Sequence, residues 1–180
     1  MIIVKKLVLS YELSWRTEED KKFMKSAEWK RIRKEILERD YSTCQYCGIK
    51  RTTHMQINHI DGNPKDHSKE NLEVICSSCH HITHSGLWAV VFGVLDVYKK
   101  SDYNQNDIIK ITGKMRDEGN PDEEIIKFLG LKNIVPWKQD LDYLAQKFGF
   151  ISSRKINKSG AGASLVEEEQ KEALKNRDNW

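Results

Sequence analysis

The sequence predicts an α+β protein: a small metal-pinned core of two strands and a helix, with one helix before it and a helical region after it. Three observations carry that expectation. All four cysteines (Cys44, Cys47, Cys76, Cys79) and all six histidines (His54, His59, His67, His80, His81, His84) fall between positions 44 and 84 of the 180-residue chain. The cysteines form two Cys-x-x-Cys pairs, and two short β-branched runs lie between the pairs. Outside that window the apolar residues recur at helical spacing.

Along the chain, residues 1–10 alternate loosely and suggest an edge strand, and Glu18, Glu19 and Asp20 set an acidic first turn. Ser26 then caps a helix whose apolar stripe is Trp29, Ile32, Ile36 and Leu37, with basic residues largely on the other side. Residues 20–51 hold ten basic and five acidic side chains, a local excess of five against +3 for the whole chain. Any nucleic-acid footprint would have to come from such local clustering. Cys44-Gln45-Tyr46-Cys47-Gly48 is a knuckle, in which Gly48 supplies the positive φ that turns backbone N–H groups toward thiolates. Residues 52–60 read as a strand, with Met55, Ile57 and His59 alternating against Gln56, Asn58 and Ile60. Asp61-Gly62-Asn63-Pro64 is a turn, a polar loop runs to Asn71, and residues 72–75 form a second strand. A helix should leave the second knuckle carrying His80, His81 and His84.

The apolar run 86–98 contains Asp96 and falls short of the ~18–20 residues of a membrane span, so it reads as a buried helix or strand. Ile108, Ile111 and Met115 mark a helix ending near Gly119, and Pro121 occupies the first helical position of another that runs to Gly130. A third helix is expected from about residue 136, with Trp137, Leu141, Leu144, Ala145 and Phe148 on one stripe. Residues 105–133 resemble a helix-turn-helix, but Pro136 falls where a recognition helix would be continuous, which favours packing or dimerisation over DNA contact. Residues 152–164 form a basic small-residue linker and 165–180 a short charged helix. The expected divisions are 1–25 (strand and linker), 26–100 (zinc-stabilised core with flanking helices), 101–151 (helical) and 152–180 (linker and tail).

Four thiolates in two pairs supply the tetrahedral sulfur set that Zn(II) favours in structural sites. Two pairs bracketing a histidine-rich segment argue against a redox motif. With 38% hydrophobic and 32% charged residues, the chain is too polar for a membrane protein and too apolar for a disordered one. It opens without a signal-length apolar stretch, so an intracellular, cytoplasmic setting is expected.

Taken in order, Trp29-Lys30-x-Ile32-Arg33, Cys44-x-x-Cys47-Gly48, Ile57-Asn58-His59-Ile60-Asp61-Gly62-Asn63 and Asn71-Leu72-Glu73-Val74-Ile75-Cys76-x-x-Cys79-His80 resemble the HNH endonuclease family. The resemblance spans about residues 26–84. It implies a ββα-metal core, metal-dependent hydrolysis of DNA, and Mg(II) or Mn(II) at the catalytic site beside the structural zinc. His59 would be the general base, suited by an unperturbed pKa near 6.5. Asn71 would brace the loop, and His80 would hold the metal with His84 as a second ligand or phosphate contact. The family's remaining ligand maps to Asn58, where Asp or His is commoner, and Asp61 competes with it. His54 and His67 read as surface or knuckle-packing residues, and His81 as a phosphate or solvent contact.

Affinity for DNA, double-stranded in this reading, would come from Lys30, Arg31, Arg33, Lys34, Lys50, Arg51, Arg154 and Lys155. The resemblance implies 5′-phosphate and 3′-hydroxyl ends and a restriction, phage or mobile-element setting, with a homodimer left open. The rival is a catalytically silent zinc module that binds DNA or a protein.

Overall fold

The computed structural model describes residues 4–10 and 17–153. Arg154, Lys155, nearly all of the linker and the charged tail lie outside them. Chain contacts divide the described residues into two compact units, one of residues 4–6 and 17–80, the other of residues 7–10 and 81–153. No helix among the described residues is long and apolar enough to cross a membrane.

The first unit begins with α1 (Glu18–Phe23), closed by a reciprocal cap in which Thr17 Oγ1 accepts from Asp20 N and Asp20 accepts from Thr17 N. Ser26 Oγ accepts from Trp29 N at 3.0 Å and starts α2 (Ala27–Arg39) where the capping signal placed it. Trp29, Ile32 and Ile36 are buried on one stripe, and Lys30, Arg31 and Lys34 are exposed on the other faces. The C-terminal end of α2 is tied to the hairpin by a fork. Arg39 pairs with Asp40 at 2.7 Å and donates to Lys69 O and Leu72 O, while Asp40 Oδ2 accepts from Val74 N.

The hairpin consists of β1 (Met55–His59) and β2 (Leu72–Cys76), antiparallel with Met55 opposite Cys76 and His59 opposite Leu72. α3 (Ser77–Thr83) follows β2 without a loop. The first knuckle packs on this ribbon through Gln45 N to Val74 O at 3.0 Å, and Gly48, at φ +73, donates to Cys44 O.

The expected strand at 1–10 does not form within residues 4–10. Its alternation is real, since Leu7 and Leu9 are buried and Val8 is exposed, but no ladder partner runs alongside. Its backbone is satisfied piecemeal instead: Lys5 N donates to Gln45 O, Leu7 N to Asn106 Oδ1 and Ser10 N to Ser85 Oγ.

In the second unit, β3 (Leu95–Lys100) is the centre of an antiparallel sheet, with β4 (Lys132–Val135) on one side and β5 (Phe148–Ile151) on the other. α4 (Gln105–Asp117) and α5 (Asp122–Phe128) contribute Ile108, Ile125 and Leu129 to a core shared with Tyr98, Leu131 and Phe150. Gly130 makes the turn from α5 to β4 at φ +62, where a Cβ would sit 2.1 Å from Asp102 Oδ2. The side-chain amide of Gln105 bonds both N and O of Gly149 and so ties α4 to β5.

Three expectations need correction here. The apolar run 86–98 splits into a π-helical turn (Leu87–Val91) and the start of β3. Pro121 is the N-cap residue of α5 and not its first helical position. The third helix from residue 136 is absent: the stretch holds the one-turn α6 (Leu141–Leu144) and β5. Pro136 ends β4 because it has no N–H to donate to a ladder, and Phe148 and Phe150 belong to a strand whose partner, β3, is remote in sequence. α4 and α5 are followed by β4 and not by a recognition helix.

Candidate active site and metal centre

The Sγ atoms of Cys44, Cys47, Cys76 and Cys79 all lie within 4.8 Å of one another, and Cys47 and Cys76 approach to 3.6 Å. A tetrahedral Zn(II) with Zn–S bonds of about 2.3 Å sets neighbouring sulfurs about 3.8 Å apart, so the cage fits. All four cysteines are free thiols, and Cys79 N points at Cys76 Sγ at 3.5 Å. Crowding sets them against each other. Hydrogen bonds from Cys47, Cys76 and Cys79 hold the Cys44 thiol far below its ordinary value, whereas those from Cys44 and Cys47 push Cys76 and Cys79 up. A dication removes that conflict by stabilising all four thiolates together.

Beside the cage, Glu73 is only 1% exposed. Its carboxylate accepts from Tyr46 Oη at 2.7 Å, Asn58 Nδ2 at 3.0 Å and Lys5 Nζ at 2.5 Å. Burial, followed by the neighbouring Glu73 charge, drives the Tyr46 phenol above its ordinary value and keeps it a donor. This network joins the N-terminal segment, the first knuckle and both strands, and the sequence reading missed Glu73. The signal was a lone acid in an otherwise apolar strand, Leu72-Glu73-Val74-Ile75.

Strand alternation sends Asn58 and His59 to opposite faces of β1. Asn58 faces its cross-strand partner Glu73 and donates its Nδ2 to that carboxylate. His59, half-buried at the end of β1, lies nearly parallel to the Trp29 ring (9°, centroids 6.0 Å apart) and meets the edge of His67 at 5.5 Å. His67 in turn stacks on Phe23 at 4.1 Å. His67 is therefore neither a surface nor a knuckle residue, because the loop folds it back onto His59. Asp66 lies beside both imidazoles, and hydrogen bonds from Ser68, then the His59 and His67 charges, hold its carboxyl below the ordinary value.

Asn71 is buried and braces the loop that leaves His59. Its Oδ1 accepts from Asp61 N at 3.0 Å, its Nδ2 donates to Asp61 Oδ1 at 2.8 Å and Asp66 O at 3.0 Å, and its backbone O accepts from Ile60 N. Asp61 Oδ1 also accepts from Asn63 N, so one of its oxygens is committed to the turn.

His80 stands half-buried on α3, and His84 belongs to the second unit. His81 is half-buried: its ring lies 3.5 Å from that of Trp88 and its Nδ1 is buried without a hydrogen bond. Burial, then the His84 charge, pushes its pKa down to about 4. His54 is exposed at a φ of +63 in the turn before β1. Among the described residues, the four cysteines are the only group of three or more His, Cys, Asp or Glu donors within such reach of one another.

Of the basic residues expected at DNA, Lys30, Arg31, Lys34, Lys50 and Arg51 are exposed. Arg31 pairs with Glu35 at 2.9 Å across one helical turn, and Arg33 donates to Met55 O at 2.7 Å, anchoring α2 to β1.

Two antiparallel strands running straight into a helix, with a histidine closing the first strand and four cysteines clamping the ends, define the ββα-metal class. Residues 44–86 match the family model for HNH endonuclease, and this segment is an HNH domain of the type with two Cys-x-x-Cys pairs. No curated protein matches the chain.

Proposed function

We propose that the HNH domain is an endonuclease that hydrolyses DNA, with His59 as general base and zinc in the cysteine cage as a purely structural ion. The observation that carries this reading is how firmly His59 is held: Trp29 and His67 fix its ring, and Asn71 locks the backbone immediately after it. Catalysis by a positioned base requires that fixity. His59 takes a proton from water as the water oxygen bonds to phosphorus. The bond from phosphorus to the 3′ oxygen breaks in line, leaving 5′-phosphate and 3′-hydroxyl ends.

A divalent ion of the Mg(II) or Mn(II) class, when bound, supplies a Lewis acid to the phosphate and the departing oxygen. His80, with Asn58 Oδ1 or Asp61, would hold it. His84 is left out of this set, and Lys30, Lys34, Lys50 and Arg51 would contact phosphates.

Incubating the full chain with supercoiled plasmid and Mg(II), Mn(II) or no added metal tests the proposal. Nicked or linear DNA should appear only with added metal, and His59→Ala should slow cleavage about 10²–10⁴-fold while still retarding the plasmid in a gel. Retardation without product under any metal would leave the silent zinc module instead.

A further inference from the structure

The first unit has an open basin of about 530 Å³ where α2 ends, lined by Lys30, Arg33, Lys34, Leu37, Tyr41 and Lys50. We infer that it seats one unpaired nucleotide of DNA, its base stacked on Tyr41 and its phosphate among the lysines. The inference rests on the nucleic-acid reading above, but not on catalysis.

Charge fixes the ligand's sign. Three lysines and an arginine face a single acid, Glu38, which stands 3.7 Å from Lys34 in an exposed pair. The helix residues 30, 33, 34 and 37 follow the period that puts side chains on one face, about a third of a turn around the helix from the buried stripe of Trp29, Ile32 and Ile36. Lys50 reaches the basin because Thr43 and Lys50 form an isolated antiparallel bridge.

Tyr41 specifies the rest. It is 74% exposed, so it contributes little to packing, and it sits at φ +53 just past the C-cap Asp40, where glycine is the ordinary occupant. Neither burial nor backbone preference accounts for a tyrosine there. The turn that presents it is fixed by Tyr41 N to Glu38 O (3.1 Å), Ser42 N to Leu37 O (2.7 Å) and Thr43 Oγ1 to Tyr41 O (3.1 Å). A flat exposed ring beside the aliphatic Leu37 and a cationic rim offers a base a face to stack on and its phosphate a counter-charge. In a duplex the base faces are covered by their neighbours and only edges are presented, so the ring can engage only an unstacked base.

The test uses the full chain carrying His59→Ala, without chelator so that the cage stays loaded, in fluorescence anisotropy against a labelled single-stranded oligothymidylate and a blunt duplex. Tyr41→Gly suits the left-handed turn, so the melting temperature should hold or rise. It should weaken single-strand binding about tenfold and leave duplex binding within about twofold, and Tyr41→Trp should retain both. Lys30→Gln with Lys50→Gln should lower the salt slope for the single strand by about 0.7 per lost phosphate contact. Unchanged single-strand binding in Tyr41→Gly, or equal loss on both DNAs, would overturn the inference. Plasmid cleavage with a silent Tyr41→Gly would sink this inference alone, and strand discrimination without cleavage would sink the nuclease reading alone.

Discussion

The two units solve the stability problem by different means. The second wraps α4 and α5 over a three-stranded sheet and buries Ile108, Ile125, Leu129 and Phe150 completely. Among its described residues the first has a single two-stranded ribbon packed under α2, and it gives interior positions on that ribbon to Asn58 and Glu73. Its apolar burial under α2 is joined by four clustered thiols positioned to bind a metal, which the second unit lacks among its described residues. The segment that matches the HNH family is thus also the segment that carries the cysteine cage.

Removing that ion should have the largest effect. Structural zinc contributes roughly 10–16 kcal/mol of apparent binding free energy in small metal domains, as much as or more than the ~5–15 kcal/mol by which a typical domain is stable. Strong chelation, or Cys79→Ser, should abolish amide-exchange protection across β1 and β2 while β3, β4 and β5 stay protected. Protection lost equally in both sheets would break the contrast, and protection kept in both would show that the cage is dispensable.

The reciprocal change is smaller. Phe150→Ala opens a cavity in the second unit's core and should cost about 3–5 kcal/mol, read from urea unfolding followed at β3 and β5. With cobalt in the cage, the thiolate absorption of the first unit should stay as it was. A variant that also loses that absorption would show that the core of one unit supports the cage of the other.

The same contrast explains what the sequence disclosed. The cysteine cage, the Ser26 cap and the α2 stripe were legible because each depends on residues close in sequence or on a spacing with one chemical meaning. The two strands of the hairpin were legible because their β-branched runs lie between the knuckles. The sheet β4-β3-β5 was not, because each pairing joins segments far apart in the chain and the short strands at 132–135 and 148–151 resemble helix turns when read alone. In the candidate site, His59 and Asn71 stood out by position. His67, Asp66 and Glu73 did not, since their places beside His59 and Asn58 depend on a loop folding back and on cross-strand register.

The smallest expected effect separates the units by pH. In the second unit, Asp122 accepts from Arg116 Nη2 at 2.7 Å and from Ser153 N at 2.6 Å. Burial alone would raise its pKa, but the hydrogen bonds from Ser153 and Arg116 outweigh it and hold the carboxyl below the ordinary value. A carboxyl depressed in the folded state binds fewer protons folded than unfolded, so its contribution is complete above the unfolded value near pH 4 and is lost as pH falls through the lower folded value. Asp122→Asn should therefore shift the urea midpoint of β3 and β5 at neutral pH, and the gap from the parent should close progressively below about pH 4. A gap that persists unchanged at acid pH would assign the effect to geometry at the start of α5 and not to the charge. The cage also fails in acid, but for a separate reason, since its ligands bind metal only when deprotonated. Asp122→Asn should leave the pH at which β1 and β2 lose protection where it was, and a shift there would tie the two units' acid responses together.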